Sequence, residues 1–124
     1  MIAADTSSLV AYFAGESGRD IELIDQALLD GELRISPIVF TELLSDPHSG
    51  PKLEPHLENW RQLDFTDGYW LRVAKTRARL LSLKLKPKLP DTLIAQSSLD
   101  YGIALIARDT GFQHFAKHCG LKLA

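Results

Sequence analysis

The sequence predicts an α/β fold: a three-layer α/β/α sandwich around a parallel sheet of four or five strands. Three observations carry that prediction. Short, almost wholly apolar runs such as Ile2-Ala3-Ala4 and Ile103-Ala104-Leu105-Ile106-Ala107 have strand length and no polar alternation, as strands buried on both faces do. Between these runs lie segments whose apolar residues recur at helical spacing. Strand-like and helix-like segments alternate without a linker, repeat or low-complexity tract, the order that parallel βαβ units require. At 124 residues the chain suits a single domain, residues 1–124, with one core.

Taken in order, Ile2 to Asp5 forms the first strand. Thr6-Ser7-Ser8 offers hydroxyl caps for a short helix through Leu9, Val10, Tyr12 and Phe13. Gly15 and Gly18 mark a break, and Ile21, Ile24, Leu28 and Leu29 follow at helical spacing until Gly31 ends the helix. Leu33-Arg34-Ile35 is the second strand. Ser36-Pro37 starts a helix to Leu44, with serine as N-cap and proline in the first turn. Asp46 to Pro51 is rich in turn residues, Leu53 to Trp60 is helical, and Leu63-Asp64-Phe65 makes a third strand. Thr66-Asp67 caps a long helix through Trp70, Val73, Ala74, Ala78 and Leu81, which runs into the Lys- and Pro-rich segment 84–90. Pro90-Asp91 opens another helix that closes at Gly102. A fourth strand at Ile103 to Ala107, a helix over about 112–118 and a last strand at Leu121 to Leu123 complete the pattern.

Composition removes several classes of function. Apolar residues make up 45% and charged residues 24% of the chain, ordinary values for a globular protein. No apolar stretch approaches the roughly 20 residues that span a bilayer, so no membrane association is expected. The start of the chain reaches an acid at Asp5 with no basic region before it, unlike a signal peptide. Cys119 is the only cysteine and cannot form an internal disulfide, which fits a reducing compartment and a cytoplasmic location.

The net charge is −2, but the distribution is uneven. Gly68 to Pro90 holds no acid, while Arg72, Lys75, Arg77, Arg79, Lys84, Lys86 and Lys88 supply half of all Lys and Arg. Such clustering fits contact with a phosphate backbone and equally fits a solvated helix face. Tyr69-Trp70 beside it could stack on unpaired bases or serve the core.

Four acids are placed where a parallel sheet gathers functional groups, beyond the carboxyl ends of its strands. Asp5 and Asp109 follow the apolar runs, and Glu42 and Asp91 lie inside or at the start of apolar helical segments. Each has an ordinary structural alternative: Asp5 as a helix cap, Asp91 as a first-turn acid favoured by the helix dipole, Asp109 as a turn acid. Glu42 is harder to dismiss, because Ile38 and Val39 share its face and an acid is seldom buried without a partner. Four ionised carboxylates about 5 Å apart would repel by roughly 3 kcal/mol per pair at an effective dielectric of 20. Such a set needs shared protons or a divalent cation, and oxygen-only ligands suit Mg²⁺ or Mn²⁺ better than Zn²⁺. The chemistry favoured is phosphodiester hydrolysis.

Other constellations are weaker. No GxxxxGK[ST] or GxGxxG element occurs, so a phosphate-binding or dinucleotide loop is not expected. His48, His56, His114 and His118 show no HExxH pattern, and Cys119 has no CxxC partner.

The ordered set Ile2-Ala3-Ala4-Asp5-Thr6-Ser7, Val39-Phe40-Thr41-Glu42-Leu43-Leu44, Asp91-Thr92-Leu93-Ile94-Ala95-Gln96 and Ala107-Arg108-Asp109-Thr110-Gly111-Phe112 resembles the PIN-domain family, and within it the ribonuclease toxins of the VapC type. The resemblance implies a parallel sheet of about five strands and a Mg²⁺- or Mn²⁺-dependent endoribonuclease. Its acids, catalytic and metal-holding, would be Asp5, Glu42, Asp91 and Asp109, with Thr6 as an accessory hydroxyl. It also implies a cognate antitoxin inserting a peptide near the acidic groove, and a homodimer. One position departs from the pattern: the family often has Thr or Ser two residues before the fourth acid, where this chain has Ala107, a change that bears on rate rather than on metal binding.

The expected function is therefore endoribonucleolytic cleavage of structured RNA by the toxin of a toxin–antitoxin pair. Arg72, Lys75, Arg79, Lys84, Lys86 and Lys88 would hold the RNA backbone. The alternatives are a catalytically weak PIN-like module that binds RNA or protein, and a small-molecule phosphohydrolase with an aspartyl nucleophile. The last usually needs an acid two residues after the first, where Ser7 stands.

Overall fold

The computed structural model describes residues 1–124. Its sheet has three strands, β1 (Ile2–Ala4), β2 (Leu33–Arg34) and β3 (Leu105–Ile106), all parallel and in the order β2-β1-β3. Ile2 pairs with Leu33 and Ala3 with Arg34 on one side; Ala3 pairs with Leu105 and Ala4 with Ile106 on the other. Each edge is extended by one parallel bridge, Ile35 to Gln62 and Leu105 to Leu123.

The two outer strands predicted at 63–65 and 121–123 thus shrink to single bridges. Leu63 donates its N–H to the Ile35 carbonyl at 2.9 Å, but the chain turns away at once, and Phe65 stacks on Tyr69 with centroids 4.2 Å apart. Aromatic packing wins over further pairing there.

Seven helices surround the sheet: α1 (Thr6–Phe13), α2 (Arg19–Leu29), α3 (Pro37–Leu44), α4 (Gly50–Leu57), α5 (Tyr69–Ser82), α6 (Leu89–Tyr101) and α7 (Gln113–Cys119), the last preceded by a 3-10 turn at Thr110–Phe112. Sequence signals set most of their ends. Asp5 caps α1 by accepting the Ser8 N–H, Ser36 caps α3 by accepting the Ile38 N–H, and Gly102 ends α6 in a left-handed conformation, φ 63°. Three expectations fail. The hydroxyls of Thr6, Ser7 and Ser8 do not cap α1, because the Asp5 carboxylate already takes the free amide there and places all three inside the first turn. Gly68 rather than Thr66 or Asp67 precedes α5, and the Thr66 hydroxyl is drawn instead to the Arg72 guanidinium at 2.7 Å. α4 starts at Gly50, inside the segment read as a turn, because a bare Cα fits where any Cβ would stand 2.5 Å from the Leu44 carbonyl oxygen.

The core is continuous from the strands into the helices. Leu9, Ile24, Ile35, Val39, Leu80 and Leu105 are fully buried at its centre, with Phe112 and Phe115 closing it near α7. The strand order decides where a site can form. From β1 the chain crosses to one edge of the sheet, and after β3 it continues to the other. β1 and β3 therefore flank the switch point, and a crevice opens beyond their carboxyl ends. Asp5 and Asp109 lie just beyond those ends.

Candidate active site

Asp5 follows β1 and is 3% exposed. One oxygen accepts the Ser8 N–H at 3.1 Å and the other accepts the Ser7 hydroxyl at 2.7 Å. Burial raises its pKa, and the hydrogen bonds from Ser7 and Ser8 oppose that rise without cancelling it. Asp5 is thus both a helix cap and a buried acid.

Asp109 caps the 3-10 turn by accepting the Gly111 N–H at 2.9 Å. Its own N–H donates to the Ser7 hydroxyl oxygen at 3.0 Å. Glu42 is reached from the same corner, since the Thr6 hydroxyl donates to its carboxylate at 2.7 Å. Asp91 stands in the first turn of α6 and is half-buried. Its pKa is raised, first by burial and then by the negative charge of Asp109, with weaker contributions from Asp5 and Glu42; nearby Lys88 pulls the other way. Asp91 therefore feels the charge of each of the other three acids.

Gly111 keeps the space beside Asp91 and Asp109 open. A Cβ there would stand 2.9 Å from Asp91 Oδ2 and 3.4 Å from Asp109 Oδ1. Arg108 ties the adjacent loop down: it makes a two-point contact with Asp20 at 2.8 and 2.9 Å and donates to the Ser17 carbonyl at 2.8 Å.

Two expectations about the acids are corrected. Glu42 is not buried: α3 turns Val39 and Leu43 inward, and the carboxylate projects to solvent beside Thr6. Nor do the acids close to about 5 Å as a set, since no three His, Cys, Asp or Glu side chains are grouped tightly enough to hold an ion as they stand. Hydroxyls and backbone amides take up part of the charge on Asp5, Glu42 and Asp109.

The basic segment divides. Lys88 lies beside Asp91 at the start of α6. Lys75 and Arg79 line an open groove of about 400 Å³ between α5, α6 and α7, with Gln96, His118 and Cys119. Lys84 and Lys86 are exposed on the turn between α5 and α6. Arg72 is committed elsewhere: it forms a two-point ion pair with Asp100 at 2.7 and 2.9 Å and also reaches Thr66 and the Asp67 carbonyl. Tyr69 is buried and donates its hydroxyl to the Leu93 carbonyl, so only Trp70, 60% exposed, presents a free ring.

Sequence reasoning gave Ser7 no role beyond capping and gave Gly111 none. A run of hydroxyls directly after a strand-end acid, and a glycine two residues after another, were the available signals.

The family model for the PIN domain matches residues 2–118. No curated protein matches the chain at a significant level. Among solved structures, a chain of VapBC2 from Rickettsia felis bound to a promoter DNA fragment is similar over 100% of this chain and 98% of its own, with a TM-score of 0.77 and 21% identity. DNA-bound VapBC from Salmonella typhimurium gives 0.76 and 16%, with 100% and 98% covered. A toxin–antitoxin complex from Klebsiella pneumoniae gives 0.69 and 23%, with 98% and 95% covered. Such low identities speak for the fold, which agrees with the family match from β1 to α7: the chain belongs to the PIN-domain family.

Proposed function

We propose that this protein is a metal-dependent endoribonuclease of the VapC type, the toxin of a toxin–antitoxin pair, acting as one domain over residues 1–124. The observation that carries the reading is Asp91, an acid at a helix start whose ionisation is opposed by burial and by three other acids from separate parts of the chain. Structural acids are more often placed beside cations; acids arranged to repel one another suit a site that works with bound positive charge.

The residues fit a hard divalent cation, Mg²⁺ or Mn²⁺. The converging donors are carboxylate and hydroxyl oxygens, and Gly111 leaves room beside Asp91 and Asp109 that a side chain would fill. Asp5, Asp91 and Asp109 would hold the ion, with Glu42 completing the site directly or through a water. When bound, such an ion polarises a phosphoryl oxygen and lowers the pKa of water. The protein's own groups prepare that chemistry. Ser7 and Ser8 fix both Asp5 oxygens, Thr6 aims Glu42, and Gly111 fixes Asp109. Lys88 offers the nearest positive charge to an incoming phosphate. Lys75, Arg79, Lys84 and Lys86 hold the flanking RNA backbone, and Arg72 drops out of that set.

An antitoxin partner is supported by a groove of about 540 Å³ between α1, α3 and α4. Val10, Phe13, Leu43 and Leu53 give it an apolar floor, and Glu42 lies in its wall. A peptide seated there would lie against Glu42, at one side of the acid site. The homodimer is supported by Trp70, Leu81 and Leu89 on α5 and α6, which line an apolar trough and are 60%, 45% and 50% exposed. An RNA substrate and a lone cysteine fit the cytoplasm, and no helix is long and apolar enough to cross a membrane.

Sequencing of RNA ends tests the reading. Total cellular RNA treated with the purified protein and Mn²⁺ is expected to show new, discrete ends that vanish with Asp91→Asn. Ends that persist undiminished with that variant would defeat the site assignment. Absence of new ends with the wild-type protein, together with retained RNA binding, would favour the binding-module alternative.

A further inference from the structure

We infer that Ser7 is a positioning residue that couples the first and fourth acids through one hydroxyl. The inference rests on the reading of Asp5 and Asp109 as site acids. Ser7 Oγ donates its only proton to Asp5 Oδ2 at 2.7 Å and accepts the Asp109 N–H at 3.0 Å. Those two acids are separated by most of the chain and follow different strands, β1 and β3. No other side-chain hydrogen bond joins the loops that carry them.

The consequences differ at the two ends of the bridge. At Asp5, the other oxygen is already taken by the Ser8 N–H, so the Ser7 contact decides where the remaining lone pairs point. At Asp109, the carboxylate is fixed by Gly111 and the backbone by Ser7, so the side chain is held relative to Asp5 rather than only within its own turn. A hydroxyl is required because one atom must donate and accept at once. Thr6, the neighbouring hydroxyl, cannot substitute, since it is turned toward Glu42. Ala107 has no polar side chain, so the strand leading into Asp109 offers no second route.

At its Asp109 end the bridge contributes little to folding. The Asp109 amide is exposed, and water can replace the serine there. Its contribution lies in the distance and orientation between two ligands, where loss of a supporting hydrogen bond typically costs about 10–100-fold in metal affinity or activity.

The test compares wild-type protein with Ser7→Ala and Ser7→Thr, using Asp5→Asn as the inactive control. Melting is followed without divalent ions and across a Mn²⁺ titration, and cleavage of total RNA is followed by the rate of appearance of mapped ends. Ser7→Ala is expected to melt within about 2 °C of wild type without Mn²⁺, to need roughly 10–100 times more Mn²⁺ for half-maximal stabilisation, and to cleave more slowly by a similar factor. Ser7→Thr is expected to recover most of both losses. Wild-type Mn²⁺ response and cleavage in Ser7→Ala would overturn the inference. So would losses matched by a large drop in ion-free melting temperature, which would make Ser7 merely structural. If wild-type protein itself neither responds to Mn²⁺ nor cleaves, the nuclease reading fails first, a result distinct from either of these.

Discussion

At the scale of single residues, the chain accepts electrostatic cost where function would use it. Asp5 and Asp91 both have pKa values raised by burial, and Asp91 is pushed further by Asp109. The sign follows from linkage. An acid whose folded pKa lies above its unfolded value binds protons more readily in the native state. Its favourable contribution is complete below the unfolded pKa of about 3.9 and fades as pH rises through the folded pKa. At neutral pH the folded protein therefore carries unfavourable charge at Asp91. Removing that charge while keeping the shape should stabilise the ion-free protein: Asp91→Asn is expected to raise its melting temperature by about 2–4 °C at pH 7 and to abolish the response to Mn²⁺. The gain over wild type should shrink as pH falls through the raised folded pKa of Asp91, where the wild-type carboxyl takes up its proton. Calorimetry of both proteins from pH 4 to 8 checks this, and a variant less stable than wild type at pH 7 would show that Asp91 is a structural acid after all.

At the scale of elements, the pairing of α5 with α6 shows the opposite electrostatic logic. Asp100 is largely buried, which by itself would raise its pKa, yet the guanidinium of Arg72 and the amide of Gln96 outweigh burial and leave the pKa lowered. Thr76 bonds Gln96 in turn, so a chain of polar contacts fastens the two helices along one seam. Arg72→Ala would leave Asp100 ionised and without its charged partner, a costly state inside a packed interface. A drop of about 3–6 °C in melting temperature at pH 7 is expected, with Mn²⁺-dependent stabilisation retained. The lowered pKa of Asp100 gives the pH window: the pair stabilises above the unfolded pKa of about 3.9, and its contribution disappears as pH falls through the still lower folded value. Wild type and Arg72→Ala should therefore converge in stability in strong acid, and a gap that stays constant down to pH 2 would rule out the pair as its source. This seam also explains why the basic segment misled as a unit. The sequence displays charge along the chain, whereas Arg72 is claimed by an acid 28 residues away that the linear pattern never paired with it.

At the scale of the whole molecule, legibility tracks how local the deciding physics is. Ser36-Pro37 and Gly102 act within a turn, so helices α3 and α6 stood where their residues said; α1 began where expected, but the Asp5 carboxylate caps it and Thr6, Ser7 and Ser8 lie in its first turn. The acids converge because alternating strands and helices force a switch point, a topological consequence also readable from the pattern. The outer strand at 63 depended on whether pairing or aromatic packing prevails, and the exposure of Glu42 on which arc of α3 meets the core; both are settled only by tertiary contacts. The large-scale charge pattern survives those corrections. A small net negative charge conceals two regions of opposite sign, an acid centre at the strand ends and a groove with Lys75 and Arg79 that no carboxylate lines. RNA reaching the acids along that groove would displace counterions from its phosphates, and single-stranded contacts contribute a salt slope of about −0.7 each. Binding of total RNA by Asp91→Asn protein, which is expected not to cleave, should therefore weaken steeply with salt. Combining that substitution with Lys75→Ala and Arg79→Ala should make the slope shallower by about 1.4, while the two cation substitutions made alone in the wild-type protein should leave its Mn²⁺-induced stabilisation unchanged. An unchanged slope would place the RNA path on another face, leaving Lys88 and the turn at Lys84 and Lys86 as the cations that guide it.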